Sequence, residues 1–304
     1  MDVRCDLCPR RCHAARGADK PGGICRSPLT PQVARAAPHY GEEPCIAGKN
    51  GTGAVFFTGC NLRCVFCQNV EISRGGGGRP VSVPELRDMF LHLRDMGVDS
   101  LDLVTGAHFV PAIAEALAGL TLGIPVVWNS SGYETPETVR ALAPYVSVFL
   151  PDMKYALSAP AARYSRAPDY PETAKAAIRE MVRLAGPWET DDDGILRRGV
   201  MIRHLILPGR VDEARDVIDF VSDSFPGGTV LFSLMSQYTP MPGLERFPEL
   251  QRRVTGEENR ALIHYMRVRG LEGFWQETDA ATEEMIPDWD LTGVNKRDKN
   301  GSMT

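Results

Sequence analysis

All eight cysteines of this 304-residue chain fall within its first 67 positions, at Cys5, Cys8, Cys12, Cys25, Cys45, Cys60, Cys64 and Cys67. Thiols used as ordinary core residues would be scattered, so the clustering points to site chemistry. A disulfide framework would require an oxidising compartment and usually a small domain without a core. Neither condition fits a chain of this length with 43% hydrophobic residues. The charge balance, 34 basic against 39 acidic residues for a net −5, gives no basic field for neutralising phosphates, so no nucleic-acid partner is expected. Met1 to Arg11 is polar where a signal peptide needs an apolar stretch, and no segment approaches the roughly 20 apolar residues of a membrane span. The expectation is a cytoplasmic protein with no membrane partner.

Three regions are expected: a Cys-rich metal-binding segment over 1–50, a catalytic body over 51–294 and a disordered tail over 295–304. The first region is rich in Cys, Gly, Pro and Arg, shows no sustained apolar period, and reads as a cap stapled by metal. From Ala54 onward, apolar strand-like runs recur at Ala54–Thr58, Leu101–Thr105, Pro125–Asn129, Val146–Leu150, Val200–Leu207 and Thr229–Leu234. Helical periodicity lies between them. Leu86, Met89, Phe90, Leu93 and Met96 fall on one face of 85–96, opened by the capping-box pair Ser82 and Glu85 and stopped by Gly97. Further helices are expected over 110–119, 136–143, 172–185, 212–224 and 256–269, the last opened by Thr255 and Glu258. Strand and helix alternating six times predict an α/β fold, a partial (β/α)6 barrel of parallel strands with a Cys-rich N-terminal segment. Ligands of such folds sit at the C-terminal ends of the strands.

After the first run comes Phe57-Thr-Gly-Cys60-Asn-Leu-Arg-Cys64-Val-Phe66-Cys67-Gln-Asn69, three thiols on one strand-to-loop connection. Three thiolates suit an iron–sulfur cube and leave one iron open for a ligand. A zinc knuckle completed by Cys45 or a histidine is the other arrangement open to them. The spacing C-x3-C-x2-C, with aromatic Phe66 before the last cysteine, resembles the cluster motif of the radical S-adenosylmethionine (SAM) superfamily. The chain is similar to relatives of pyruvate formate-lyase activating enzyme from its N-terminal cysteines to about Val294. The resemblance implies a [4Fe–4S] cluster on Cys60, Cys64 and Cys67 whose open iron binds SAM, and reductive cleavage of SAM to a 5′-deoxyadenosyl radical that abstracts a hydrogen from substrate. The substrate it implies is either a glycine of a partner enzyme or a small molecule, with flavodoxin or ferredoxin as electron donor. A non-catalytic iron–sulfur or zinc protein is the alternative.

The other matches fall at strand ends. Thr105-Gly106-Ala107-His108 stands where the activating enzymes have Gly-Gly-Glu, which leaves backbone contacts from Thr105 and Gly106 to SAM; His108 is either a substitute for the missing acid or a loop histidine. Asn129-Ser130-Ser131-Gly132 resembles their Asp-Thr-Asn-Gly segment, so Asn129 and Ser131 are expected near the SAM ribose and carboxylate, although an ordinary turn uses the same residue types. Asp152-Met-Lys154 resembles their Asp-x-Lys segment; without ligand the two would point the same way and pair. Arg203 resembles their SAM-contacting arginine and should point inward, with Ile202 and His204 on the other face. Ser236-Gln237-Tyr238 follows the sixth run, where substrate or adenine would be met.

Cys5, Cys8, Cys12 and Cys25 form a second four-ligand set among Arg4, Arg10, Arg11, Lys20 and Arg26, suited to zinc, to an auxiliary iron–sulfur cluster, or to reactive thiols of lowered pKa. Cys45 has no assignment. The run Gly75–Gly78 lacks the Lys-Ser/Thr of a phosphate loop and reads as a linker.

Overall fold

A parallel strand covered on both faces must be apolar throughout, and four runs obey this closely enough to place the sheet. The computed structural model describes residues 3–278 and 287–294. Its main strands are β1 (Gln32–His39), β2 (Thr52–Phe57), β3 (Ser100–Val104), β4 (Val126–Ser130), β5 (Val148–Pro151), β6 (Leu196–Leu205), β7 (Leu231–Met235) and β8 (Gly273–Trp275). Every residue of β2, β3, β4 and β5 is buried. The sheet order is β8-β7-β6-β5-β4-β3-β2-β1, parallel from β2 to β8, with β1 antiparallel to β2. The path begins and ends on different strands, so the barrel is partial and unclosed.

Helices α1 (Val83–Asp95), α2 (Val110–Leu117), α3 (Pro136–Leu142), α4 (Tyr170–Ala185), α5 (Val211–Ser224) and α6 (Gly256–Val268) occupy the crossovers between these strands. In α1, Leu86, Met89, Phe90 and Leu93 are buried, as the period predicts. Both predicted capping boxes form: Ser82 and Thr255 each accept from the third helical amide while Glu85 and Glu258 bond back to the cap amides. The expected partial (β/α)6 arrangement is therefore present, with β8 added at one edge.

Two regions depart from the sequence reading. Residues 32–39 are not part of a cap but a strand of the sheet, β1, whose Val33, Ala34, Ala36 and Ala37 are buried. Ala-rich and interrupted by Arg35 and Pro38, this run has no strong strand signal; on the outer side of β1, among the described residues, only the strand Arg79–Pro80 pairs, with Gln32 and Val33, so Arg35 and Pro38 lie where no strand pairs that side. A helix over Ser158–Ser165, also unanticipated, precedes α4 and ends at Arg166 in a left-handed conformation. The expected tail over 295–304 lies outside the described residues.

The cap proper begins with a two-residue antiparallel pair, Val3–Arg4 with Ala15–Arg16. Arg16 is fully buried and ties it down, donating to the carbonyls of Ser27 (2.9 Å), Pro28 (2.5 Å) and His108 (3.0 Å). No helix among the described residues is long and apolar enough to cross a membrane.

Candidate active site

The turn leaving β2 brings Gly59 against the cap so closely that only glycine fits. Its φ is +82°, and a Cβ there would lie 2.1 Å from Ser27 Oγ and 2.7 Å from the Cys25 carbonyl. The chain then delivers Cys60, Cys64 and Cys67 to the wall of a cavity of about 570 Å³, which Phe66 also lines. That volume falls in the ~300–1,000 Å³ range typical of cofactor and small-molecule sites. Hydrogen bonds orient the sulfurs: Leu62 N–H donates to Cys60 Sγ (3.4 Å) and Ser165 Oγ–H to Cys64 Sγ (3.0 Å). Burial, reinforced by Cys64 and Cys67, pushes the Cys60 thiol up to about 12. Burial also raises Cys64, against the pull of Lys154. Binding of a metal centre here therefore displaces thiol protons.

The opposite wall is charged. Arg203 points inward from β6, as the strand alternation predicts, while Ile202 is buried and His204 bonds the Met153 carbonyl (2.7 Å). Arg203 donates to Asp152 Oδ1 (3.2 Å), Glu42 Oε2 (2.8 Å) and Asn129 Oδ1 (2.5 Å). Lys154 Nζ bonds Asp152 Oδ2 at 2.5 Å. Burial works to raise the Asp152 carboxyl, but Lys154 and Arg203 prevail and hold it below the usual range. Asn129 also donates to Asp102 Oδ2 (3.0 Å) and Glu42 Oε1 (3.2 Å). Asp102 is driven well above the carboxylate range by burial and by the Glu42 charge. Its Oδ1, and Oε2 of Glu43, are shut off from solvent without a hydrogen-bond partner.

The cavity thus gathers Cys60, Cys64, Phe66, Cys67, Thr105, Asn129, Ser131, Asp152, Lys154, Arg203 and Gln237. Thr105 stands in a left-handed conformation (φ 61°) at the end of β3. Gly106 does not line the cavity; a Cβ there would meet Ile113 and Trp128 at 2.6 and 2.9 Å, so its glycine serves packing. His108 is no substitute acid: it is buried, its Nε2 lies 2.7 Å from the Thr58 carbonyl, and burial lowers its pKa to about 4. Tyr238 backs Phe66 edge to face, with ring centroids 6.3 Å apart, and Ser236 bonds the carbonyls of Gln276 and Glu277. Cys45 is a core residue, packed with Val127, Val148 and Leu150. Sequence reasoning missed Glu42, Glu43 and Asp102. A charged residue inside the apolar run Leu101-Asp-Leu-Val was the available signal for Asp102; the two glutamates arrive from a loop whose place depends on β1.

Beneath the Asn129–Gly132 turn, Glu134 accepts from Trp128 Nε1 (2.8 Å) and Ser130 Oγ (3.2 Å). Burial raises its carboxyl from 4.5 to about 7. Because the folded pKa is raised, the folded state takes up this proton first; the Glu134 contribution favours folding below about pH 4.5 and is lost as pH rises to 7. The expected result is that Glu134→Gln, neutral at every pH, gains about 3 kcal/mol relative to the parent at pH 8 and little at pH 4.5. Denaturant midpoints at both values check it.

The donor set was tested against a [4Fe–4S] cluster and SAM. Among the described residues, no three His, Cys, Asp or Glu side chains converge tightly enough to clasp one metal ion. A cube of iron and sulfide is larger than an ion, and three thiols spread along one cavity wall suit it. SAM bears a sulfonium and an ammonium against one carboxylate. The wall offers Lys154 and Arg203 for the carboxylate, and Glu42 and Asp152 for the positive groups. The residues fit.

An unclosed parallel barrel with three thiols at the C-terminal end of its first parallel strand and a charged pocket facing them defines a cofactor site for iron–sulfur chemistry. The chain belongs to the radical SAM superfamily, whose sequence model matches residues 54–221. Its cofactors are those of that family, a [4Fe–4S] cluster and SAM. An uncharacterized protein of Methanocaldococcus jannaschii is 30% identical over 265 residues, covering 84% of this chain and 71% of its own length. Among solved structures, SuiB of Streptococcus suis bound to S-adenosylmethionine is similar with a TM-score of 0.47 at 13% identity, over 77% of this chain and 48% of that one. A domain of pyruvate-formate lyase-activating enzyme from Bacteroides vulgatus gives 0.36 at 13%, over 64% and 91%. The chain thus spans about half the length of SuiB.

Proposed function

We propose that this protein abstracts a hydrogen atom from a small molecule admitted to the cavity, using the radical that reductive cleavage of SAM supplies. One observation supports the reading above others: the three thiols and the Asp152–Lys154–Arg203 network border the same cavity. When bound, a reduced [4Fe–4S] cluster supplies one electron that cleaves SAM to methionine and a 5′-deoxyadenosyl radical. The protein's part is to hold and exclude. Lys154 and Arg203 orient a carboxylate, Asn129 and Glu42 present hydrogen-bonding groups, and Phe66 with Tyr238 forms an apolar wall against water. Activation of a glycyl radical enzyme is the second substrate reading, resting on likeness to the activating enzymes. The loop at 105–108 lacks their acid, and His108 is committed to Thr58, which favours the small molecule.

The test is anaerobic reconstitution with iron and sulfide, reduction, and addition of SAM. 5′-Deoxyadenosine is expected from the parent and not from Cys60→Ala. A reconstituted cluster that neither cleaves SAM nor changes its paramagnetic resonance spectrum on SAM addition would leave a non-catalytic iron–sulfur protein in its place.

A further inference from the structure

The reading above leaves four thiols without a role. Cys5, Cys8, Cys12 and Cys25 are free, and the fold gathers them although Cys25 stands far from the others in sequence. Cys8 lies within electrostatic reach of Cys25, Cys5 and Cys12. A single point, the place a Cβ on Gly23 would occupy, is 3.0 Å from Cys12 Sγ and 3.8 Å from Cys25 Sγ. The loops bend sharply to achieve this. Arg11 (φ 40°) and His13 (φ 46°) flank Cys12, and Arg26 (φ 56°) follows Cys25, all left-handed without being glycine. Such conformations persist only where the surroundings over-determine them.

Arg16 and backbone hydrogen bonds hold the cap, but they do not account for the convergence of the four thiols. Between residues 4 and 31, Cys25, Pro28 and Pro31 are the buried apolar residues among those described. A segment without an apolar core is ordered by something at its centre, and the donors at hand are four sulfurs. Two of the sulfurs accept hydrogen bonds, Cys8 from the Arg10 backbone N–H and Cys5 from Arg16 Nη1 at 3.3 Å, although burial pushes the Cys8 thiol up to about 11, against the lowered pKa expected of reactive thiols. Among the described residues no group is gathered closely enough to clasp a single ion, a closeness that a larger iron–sulfur centre does not require.

Position gives the centre a use. Arg10 Nε donates to the Asn61 carbonyl (2.7 Å) beside Cys60, and Arg10 Nη2 to the Ser165 carbonyl (3.1 Å), whose own hydroxyl bonds Cys64 Sγ. Arg63 bonds the Ile24 carbonyl, and the Cys25 backbone packs on Gly59. Cys25 is thus buried against the catalytic loop while Cys12 is exposed to solvent.

We propose that Cys5, Cys8, Cys12 and Cys25 hold a second iron–sulfur cluster with four protein ligands, through which electrons reach the centre at Cys60, Cys64 and Cys67. A low-potential one-electron carrier of the ferredoxin or flavodoxin class loses one electron to this cluster at the Cys12 side. The same electron leaves on the Cys25 side, and no bond or proton changes. The site itself stands independently of the catalytic reading; only the electron's destination rests on it.

Two chains separate the parts. The full chain with Cys60→Ser, Cys64→Ser and Cys67→Ser, reconstituted anaerobically, should retain about four irons and four sulfides, as a four-cysteine cube requires. Its reduced resonance signal should not respond to SAM, because no iron is open. Zinc in place of iron, a disulfide, or a folded chain without metal overturns the site. The reciprocal chain with Cys5→Ser, Cys8→Ser, Cys12→Ser and Cys25→Ser should keep the SAM-responsive signal under dithionite but lose reduction by a reduced ferredoxin. If ferredoxin reduces it as fast as the parent, the relay is overturned. Should the first chain fail to fold by circular dichroism, iron in the parent against the reciprocal chain decides: equal content overturns the site. Absence of SAM cleavage by the reconstituted parent, with the first chain's irons intact, would indict the catalytic reading alone.

Discussion

Cys64→Ala is expected to reduce 5′-deoxyadenosine formation to background and to remove the iron bound at the catalytic loop, while the barrel stays folded. The thiol lies on the cavity wall with Cys60 and Cys67, and two remaining thiolates cannot hold a cube that the loop presents with three. The fold should survive because Cys64 is only half-buried, and Ser165, which bonds its thiol, also bonds Tyr155 at 2.7 Å and keeps that contact. Cys45→Ala is the matched control. It too removes one of eight thiols, but from a site packed against Val127 and Val148, where burial and the Glu43 charge push the thiol up to about 12. Its expected effect is a modest loss of stability, about 1 kcal/mol for a small cavity, with catalytic iron retained. Iron analysis, visible absorption and product chromatography on the two chains check this. Equal loss of iron in both would mean that the catalytic loop is not the ligand set.

How the residues came to be legible depends on the range of the signal. The strands β2 to β7 announce themselves because a doubly covered parallel strand is apolar over most of its length, and each was read within a few residues of its place. The helix starts were legible for a local reason, since a capping box involves residues three apart. Arg203, Asp152 and Lys154 were found because strand alternation fixes which way a side chain points once the strand is known. What failed was long-range. β1 is recognisable only when paired with β2, and the glutamates at 42 and 43 owe their place in the cavity to that pairing. His108 looks like a site residue in sequence; only the arrival of Thr58 shows that it is structural, with Arg16 anchoring the cap to its backbone carbonyl. Gly106 resembles a ligand-contacting glycine, yet Trp128 and Ile113 account for it.

Arg203→Met is expected to destabilise the protein by about 3–5 kcal/mol near neutral pH, the cost of breaking a buried ionic network by removing one member. The side chain is only 12% exposed, and it is the shared partner of Asp152, Glu42 and Asn129. Without it Lys154 faces the carboxylates alone, and Asp102 and Glu43, already raised by burial, lose the charge that pulls them down. The pH dependence separates this from lost packing. In the parent, Asp152 is held below its ordinary 3.8, so its contribution is present above that value and is lost only as pH falls through the folded pKa. In the variant the buried carboxyls rise and take up protons on folding, so variant stability improves as pH falls. The gap between the chains should therefore be widest at pH 8 and narrow by pH 5. Denaturant titrations at both values read it, and Asp152→Asn added to Arg203→Met should recover part of the loss at pH 8. A gap that is the same at both pH values and unrelieved by the second substitution would mean that the methionine disturbs packing, and that the charges on this wall do not depend on Arg203 as the hydrogen bonds indicate.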